Sequence, residues 1–433
     1  MTVNYTSQVA SAAKSPFVRL LFRWKGSIYK LVWKEFLVYA VLYYIVGIIY
    51  RVALSGPHKV RFEVFALYLK GNQASIPMAL ILGFYVTLVV NRWWQIYTSI
   101  PWPDRMALFL SASVHGQDDR ARKMRRTIMR YMALAYVIVM SSISPRIKKR
   151  FPSFGHMTEA GFMLKNEQKI IKAMRIPYNK YFVPLVWSTS LLARARKEGK
   201  IRDDMALKTL IEELNAYRGN LAQLLGFDNI SIPLVYTQVV TIAVYTYFLS
   251  TLIGNQFLLL DTDQHGNTVP AANVTASDTR PQWKFDVYLP VFMFFLFFFY
   301  MGWLKVAESL VNPFGGEDDD DFEINHMIDK NLKVSYLIVD EMHNVHPDLL
   351  EDAYWDMKCE DVKLPDTGEK TPQADSGSAL EMKSAKVTEA LPAEAPPTEA
   401  TPTESKTSQS APTASMVEEG RARPTGADTS KKT

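Results

Sequence analysis

The stretch SIPMALILGFYVTLVVNRWW, residues 75–94, decides the fold of this chain. It carries no charge before Arg92, and a helix needs about 20 mainly apolar residues to cross a hydrocarbon layer about 30 Å thick. Ser75 is a residue type that caps helix N-termini, and Pro77 suits a first helical turn. The stretch therefore predicts a membrane-spanning helix over residues 76–98.

Three other stretches have the same character: residues 31–50, the segment between Asp228 and Asp261, and residues 287–304. Their centres hold no charged residue, so the pattern shows no ion-coupled transporter site. Tryptophans flank the spans, as an aromatic belt at the membrane surface requires: Trp93, Trp94, Trp102, Trp283 and Trp303. The sequence predicts an all-α integral membrane protein, with spans one and two in residues 31–102 and spans three and four in residues 229–304.

Residues 103–228 are too long for a simple connector. Their two apolar runs, residues 131–145 and 181–193, are short and bounded by charges, which is more typical of buried core helices than of spans. Within residues 201–226, apolar residues recur at helical spacing and Gly226 suits a helix C-terminus. These residues are Met205, Leu207, Leu210, Ile211 and Leu214. We expect a helical cytosolic domain.

Charge predicts the orientation in the membrane. Four spans place both termini on one side, and basic residues crowd before span one and after span two. These residues are Arg19, Arg23, Lys25, Lys30, Arg105, Arg120, Arg122, Lys123, Arg125 and Arg126. Residues 1–30, predicted as an N-terminal helix, and both termini are thus expected in the cytosol, and the loop at residues 256–285 outside. The sequon at Asn273 is weak support, because sequons are common by chance. We expect a multi-pass protein of the plasma membrane.

Composition excludes several classes of protein. Cys359 is the single cysteine, so the chain can form no internal disulfide and no cysteine-based metal site. The formal charge of +5 includes no long basic run, which argues against nucleic-acid binding. No phosphate-binding loop, nucleophile elbow, HExxH motif or dinucleotide fingerprint occurs, so the chain is not expected to be an enzyme. Residues 363–433 are rich in Pro, Thr, Ser, Glu and Ala and hold no aromatic residue, which predicts a disordered tail.

Ile76, Leu80 and Phe84 recur at i, i+4 and i+8, on one face of the predicted second span. If several copies surround an axis, these residues form stacked apolar rings that close a pore by dewetting. The alternative is that the stripe packs against neighbouring helices, which is ordinary in membrane spans. The pattern alone favours packing slightly, but no other span offers a pore lining.

An acidic segment follows the fourth span. NPFGGEDDDDFEIN, residues 312–325, contains five consecutive acidic residues, and dense carboxylate oxygens suit Ca²⁺. The spacing is not that of an EF-hand. A solvated charge run is the alternative, but the Pro-Phe-Gly-Gly turn and the apolar Phe322 and Ile324 favour an ordered loop. His343 and His346 lack the further ligands that zinc requires, and a surface loop is expected there.

The chain resembles the bestrophin family in seven stretches of sequence. The resemblance covers most of residues 1–350 and excludes the tail. The matching stretches are VNYTSQVA (3–10), RWKGSIYK (23–30), LGFYVTLVVNRWW (82–94), PWPDR (101–105), SIPLVYTQVVT (231–241), GWLKVAE (302–308) and EDDDDFE (317–323). It implies a homopentamer that conducts chloride, bicarbonate and other small anions through the lipid membrane when calcium binds. The alternative function is a membrane scaffold or regulator that does not conduct.

The resemblance also implies site residues. The neck of the pore would be Ile76, Leu80 and Phe84, with Leu80 standing where the vertebrate members have phenylalanine. A cytosolic aperture would fall at Met205, where a smaller branched residue is usual. In residues 305–362, the resemblance implies a calcium-binding loop followed by a wrapping segment, with an inhibitory strap around residues 348–361. The calcium ligands would be Ala10, Ser309, Asn312, Asp318 and Asp321. Ser309 replaces a glutamine, and Gly315-Gly316 replaces a single glycine.

Overall fold

The computed structural model describes residues 3, 5–9, 16–258, 260–262, 268–270, 290–316 and 318–358. The predicted tail at residues 363–433 and most of the loop at residues 256–285 lie outside these ranges. The described residues are overwhelmingly helical, as the sequence predicts. They add one short antiparallel hairpin, β1 (Leu260–Thr262) with β2 (Thr268–Pro270), in which Leu260 pairs with Pro270. Strands of three residues are too short to give an alternating pattern.

The described residues form fourteen α-helices in chain order. They are α1 (Pro16–Leu20), α2 (Ile28–Ile48), α3 (Pro57–Asn72), α4 (Met78–Thr98), α5 (Asp104–Ser113), α6 (Asp119–Ile143), α7 (Pro145–Arg150), α8 (Phe154–Glu159), α9 (Lys165–Ala173), α10 (Phe182–Lys197), α11 (Asp204–Asn229), α12 (Leu234–Gly254), α13 (Val291–Leu310) and α14 (Ile324–Tyr336). Two π-helical turns, Ile49–Ala53 and Leu337–Glu341, extend α2 and α14.

Four helices, α2, α4, α12 and α13, are long and apolar enough to cross a membrane. Their number confirms the prediction, but their limits differ from it. The fourth helix continues through Lys305 to Leu310, and the Lys305 ammonium is paired with Glu35 at 2.9 Å and Glu308 at 2.8 Å. Hydropathy marks the end of the apolar stretch, whereas the helix itself runs past the first charge, since lysine is a good helix former.

Two predicted helix ends are wrong. Ser75 does not cap the second span, since α4 begins at Met78 and Ser75 closes a short 3₁₀ turn, Gln73–Ser75. Gly226 does not end α11, because the helix runs on to Asn229 and the Gly226 carbonyl accepts the N–H of Ile230. The predicted N-terminal helix, residues 1–30, contains two short pieces, Thr6–Val9 and α1, before α2 begins.

The spans pack around an aromatic core. The ring of Tyr39 on α2 stacks on Phe297 of α13 with centroids 4.6 Å apart, and its hydroxyl lies 2.9 Å from the Thr251 hydroxyl of α12. Phe36 meets Phe294 edge-on at 4.9 Å. These contacts join α2, α12 and α13 into one unit, against which α4 packs with one face.

The region between the second and third spans is a helical domain. Its centre is α6, whose residues from Met132 to Ile143 are almost all buried against α10, α11 and α14. The two apolar runs that the sequence singles out lie largely in α6 and α10; the first is almost fully buried, and the second is buried on one face, with Val186 56% exposed on the other. A salt bridge of 2.7 Å between Arg130 and Glu167 is enclosed in this core.

Candidate functional site

Helix α4 has two distinct faces. Met78, Leu82, Tyr85, Val86 and Val89 are buried against the other spans. The opposite face carries Leu80 and Phe84, which are 58% and 64% exposed in the single chain. Large apolar side chains on a span face lipid, a neighbouring copy or a pore, so this face is the candidate pore lining.

Ile76 stands apart from the other two predicted neck residues. Pro77 has φ −77° and ψ 68°, an inverse γ-turn in which the N–H of Met78 donates to the Ile76 carbonyl at 2.8 Å. Ile76 is therefore extended and precedes the helix, and its half-buried side chain packs against the core of the spans. The regular helical stripe of the prediction contains only Leu80 and Phe84.

Met205, the predicted aperture residue, lies in the first turn of another helix. Asp203 caps α11 by accepting the N–H of Ala206 at 2.7 Å, and Met205 follows with 69% of its surface exposed. The structure thus places Leu80 and Phe84 on a span, Ile76 just before it, and Met205 at the start of a helix of the adjoining domain.

The acidic segment is an ordered loop between α13 and α14. One carboxylate oxygen of Asp321 accepts the N–H groups of Gly316 at 2.5 Å and Asp318 at 3.0 Å, and the side chain is 7% exposed. The Asn312 side-chain oxygen accepts the N–H of Phe314 at 3.3 Å. A solvated charge run would hold none of these bonds.

The loop packs directly beneath α4. The centroid of the Phe322 ring lies 5.3 Å from that of Trp93 and 5.7 Å from that of Tyr97. Both of these residues are near the end of the second span. The Ser144 hydroxyl fixes the other side of the loop by donating to the Phe314 carbonyl at 2.9 Å. The sequence offers apolar residues after the acidic run but nothing that names their partners.

The carboxylates of the loop lie in contrasting surroundings. The Lys30 ammonium, 2.7 Å from Asp319, and the Gly26 N–H hold the pKa of that carboxyl below its usual value. Burial raises the pKa of Asp320, and the negative charges of Asp319, Asp318 and Asp321 raise it further. Like charges gathered in a half-buried loop favour a bound cation.

The carboxylate and carbonyl oxygens of this loop are the type of ligand that a hard cation prefers. A Cβ on Gly315 would lie in ordinary contact with both the Asp321 carboxylate, at 3.4 Å, and the Asn312 carbonyl, at 3.7 Å, so these two oxygens lie on the same side of the turn. The Ser309 hydroxyl donates to the Val306 carbonyl at 3.0 Å and is directed back onto its own helix. Ala10 lies outside the described residues. Across the ranges that the structure describes, no group of three His, Cys, Asp or Glu side chains is close enough to hold a metal.

One expectation about histidines is wrong. His343 is not on a surface loop: it is 6% exposed, and its Nδ1 lies 3.2 Å from the Ser111 hydroxyl of α5. His346 is exposed as predicted. The sequence carries no signal for this burial, because the residues that cover His343 are distant in the chain.

A sequence model of the family described as "Bestrophin, RFP-TM, chloride channel" matches residues 1–341. Human bestrophin-3 is 49% identical over 356 residues, which cover 82% of this chain and 51% of that protein. Human bestrophin-1 is 47% identical over 355 residues, covering 82% and 58%. The chain thus spans about half the length of these relatives.

A crystal structure of a bacterial bestrophin homologue from Klebsiella pneumoniae aligns with a TM-score of 0.48 and 16% identity, covering 71% of this chain and 99% of that one. The family description names a chloride channel, which agrees with the expectation that the chain is not an enzyme. From the family match and the identity to these relatives, the chain belongs to the bestrophin family, a family of chloride channels.

Proposed function

We propose that this chain forms a calcium-activated anion channel whose gate is a hydrophobic neck on α4. The observation that carries the proposal is the exposure of Leu80 and Phe84 on the face of α4 that the other spans leave uncovered. Around an axis shared by several copies, that face would supply stacked apolar rings. Such rings exclude water when narrow and conduct when slightly wider.

Chloride and bicarbonate are the proposed permeant anions. The exposed face of α4 carries no acidic residue that would attract cations, and the first charge along the helix is Arg92. The electropositive ring edge of Phe84 favours anions, and large anions shed their water more readily. Leu80 supplies no ring edge, so this neck would be less aromatic than that of the vertebrate relatives.

The assembly is proposed to be a homopentamer, with both termini in the cytosol of a plasma-membrane protein. The number five and the orientation come from the family resemblance and the distribution of basic residues. The exposed apolar side chains of residues 349–355 support contact with a neighbouring subunit, because Leu349, Leu350 and Trp355 are uncovered in a single chain. This is the region in which we propose an inhibitory strap, residues 348–361.

Calcium would be held by oxygens of Asn312, Asp318 and Asp321, with backbone carbonyls of Ser309 and Ala10. The ion would supply positive charge that neutralises the acidic loop. What this chain adds is the contact of Phe322 with Trp93 and Tyr97, which joins the ordered loop to the end of α4. A change in loop order would thus bias the pore helix between its two states.

Met205 is the proposed second constriction. Its exposure in the first turn of α11 leaves the thioether available to line a passage. A flexible, polarizable side chain there would set a softer limit on anion size than a branched residue would.

Recordings from purified protein in a planar bilayer test the proposal. With chloride on both sides, we expect anion current that micromolar calcium switches on and a chelator abolishes. Silence in both conditions would favour the scaffold. Saturable flux without single-channel steps would favour a transporter.

A further inference from the structure

Arg92 joins the pore helix to a helix of the adjoining domain. Its Nη2 donates to the backbone carbonyl of Ile230 at 2.8 Å and, through a shorter bond, to that of Phe227. The guanidinium also lies over the Phe227 ring, 5.3 Å from its centroid. The bonded residues are 135 and 138 positions away in the chain, so the link connects two separate elements.

The bonds fall where a helix most needs them. The last four carbonyls of a helix have no partner within the helix, and the C-terminal end carries partial negative charge. In α11, the N–H of Ile230 returns to Gly226, and the carbonyls beyond that point require other donors. One guanidinium nitrogen, Nη2, reaches two of these carbonyls, and the planar group also lies over the Phe227 ring, a contact that a lysine ammonium does not reproduce.

The opposite end of α11 carries Met205. Helix α11 has 26 residues, so it is about 39 Å long at 1.5 Å per residue. Its buried face packs along the helical domain through Leu210, Leu214, Tyr217, Leu221 and Leu224. No proline interrupts it. Because the helix is unbroken, a displacement at its C-terminal end is transmitted almost in full to its first turn.

We propose that Arg92 is a positioning residue that couples the neck on α4 to the aperture at Met205 by holding the C-terminal end of α11 to the pore helix. The inference rests on the proposed channel function. Both acceptors are backbone carbonyls, so the link does not depend on the protonation of a neighbouring side chain. When α4 shifts to widen the neck, Arg92 moves α11 with it, and the two constrictions respond together.

The test is a set of double-mutant cycles recorded in bilayers. Each cycle compares three variants with the parent protein: Leu80→Ala, Met205→Ala and the double change. Two quantities are measured for each variant, the iodide-to-chloride permeability ratio and the calcium concentration that gives half-maximal current. In the native background, we expect the double variant to depart from the product of the single effects by about threefold or more. In an Arg92→Gln background the effects should simply multiply, and Arg92→Lys should fall between.

The matched control is Arg105→Gln. Arg105 on α5 also binds α11, through a 2.7 Å salt bridge to Glu213, but it has no bond to the helix C-terminus. We expect the non-multiplicative behaviour to survive this change. A general effect of removing an arginine that contacts α11 would appear in both variants, whereas the proposal predicts a change only in Arg92→Gln.

Two outcomes would overturn the inference: multiplicative effects in the native background, or unchanged coupling in Arg92→Gln. If Arg92→Gln does not fold, Arg92→Lys decides, because coupling equal to that of the native protein would contradict a role for the planar guanidinium over Phe227. Absence of any current from the native protein would instead refute the proposed channel function. The two failures are therefore distinguishable.

Discussion

Asp319 in the acidic loop accepts a 2.9 Å hydrogen bond from the backbone N–H of Gly26, which lies 293 positions earlier in the chain. The same carboxylate oxygen accepts a hydrogen bond from the Lys30 ammonium at 2.7 Å. Gly26 has a φ of +71°, and a side chain there would meet Val3, so this turn favours glycine. The loop after the last span is thus fastened to the segment that leads into the first span.

Replacing Asp319 with asparagine should loosen that segment. The carboxylate charge is lost, and because Lys30 is 43% exposed the effect on stability should stay below about 1 kcal/mol. We expect a few-fold faster hydrogen exchange in residues 16–27, measured by mass spectrometry. Asp329→Asn, which breaks the Arg150–Asp329 salt bridge elsewhere, should leave these residues unchanged.

Smaller side chains at the neck should weaken its control by calcium. Leu80→Ala combined with Phe84→Ala removes the apolar bulk that excludes water, so we expect several-fold more current in the presence of a chelator. Leu249→Ala on α12, an equally exposed leucine, is the control. Identical chelator-resistant currents in both variants would show that α4 does not line the neck.

Asp321→Asn should reduce calcium sensitivity while leaving the loop folded. The amide oxygen can still accept the N–H groups of Gly316 and Asp318, but the site loses one negative charge. Because calcium affinity follows ligand charge, we expect roughly a tenfold rise in the calcium needed for half-maximal current. Asp329→Asn again serves as the control, and an unchanged calcium response would remove Asp321 from the site.

A fall in pH should weaken the docking of residues 337–345, the segment that contains His343, onto the rest of the helical domain. Burial lowers the pKa of His343, and the positive charge of Arg125 lowers it further; in the described residues its Nε2 has no hydrogen-bond partner. His115 acts in the same direction, while the backbone carbonyls of Gly116 and Ser111 oppose it.

The sign of this effect follows from proton uptake. A histidine whose folded pKa is lowered takes up its proton first in the undocked state, so docking is strongest above pH about 6.5 and weakens as the pH falls below it. Asp340 stays charged here, because Arg122 and Arg126 lower its pKa. We expect faster exchange in residues 337–345 at pH 5.5 than at pH 7.5, after correction for intrinsic rates. His343→Gln should abolish the difference.

Replacing one member of the buried Arg130–Glu167 pair should destabilise the protein more than replacing both members. Arg130→Met strands a carboxylate that is nearly inaccessible, which costs about 3–5 kcal/mol of unfolding free energy. The double change, Arg130→Met with Glu167→Leu, should recover most of that loss. Thermal unfolding in detergent measures both, and equal melting temperatures for the single and double variants would contradict the argument.

The number of spans was predictable because hydropathy over about 20 residues is a local property. The limits of the spans were less so. Lys305 marks the end of the apolar stretch in the sequence, but the helix runs on to Leu310, and Lys305 pairs with Glu35. Ile76 falls on a helical stripe by spacing, but the turn at Pro77 places it outside the helix.

Contacts between residues that are distant in the chain could not be predicted from the sequence. Periodicity identifies Leu80 and Phe84, yet it gives no hint that Phe322 lies against Trp93, that Arg92 reaches Ile230, or that His343 is enclosed. Each of these depends on elements that the chain brings together from more than 100 residues apart. Such long-range pairings determine how parts of the site act on one another, and a single sequence does not record them.

The spans are held by different kinds of contact. Stacked rings and a paired lysine require definite angles and distances, and they clamp α2 to α13 through Tyr39, Phe297 and Lys305. Helix α4 meets the other spans mainly through aliphatic side chains such as Leu82 and Val86, with one hydrogen bond from the Tyr85 hydroxyl to Thr237 at 3.2 Å. Rings and a charge pair thus join α2 to α13, whereas α4, which bears the exposed apolar face, has its polar and aromatic anchors at its C-terminal end, in Arg92 and Trp93.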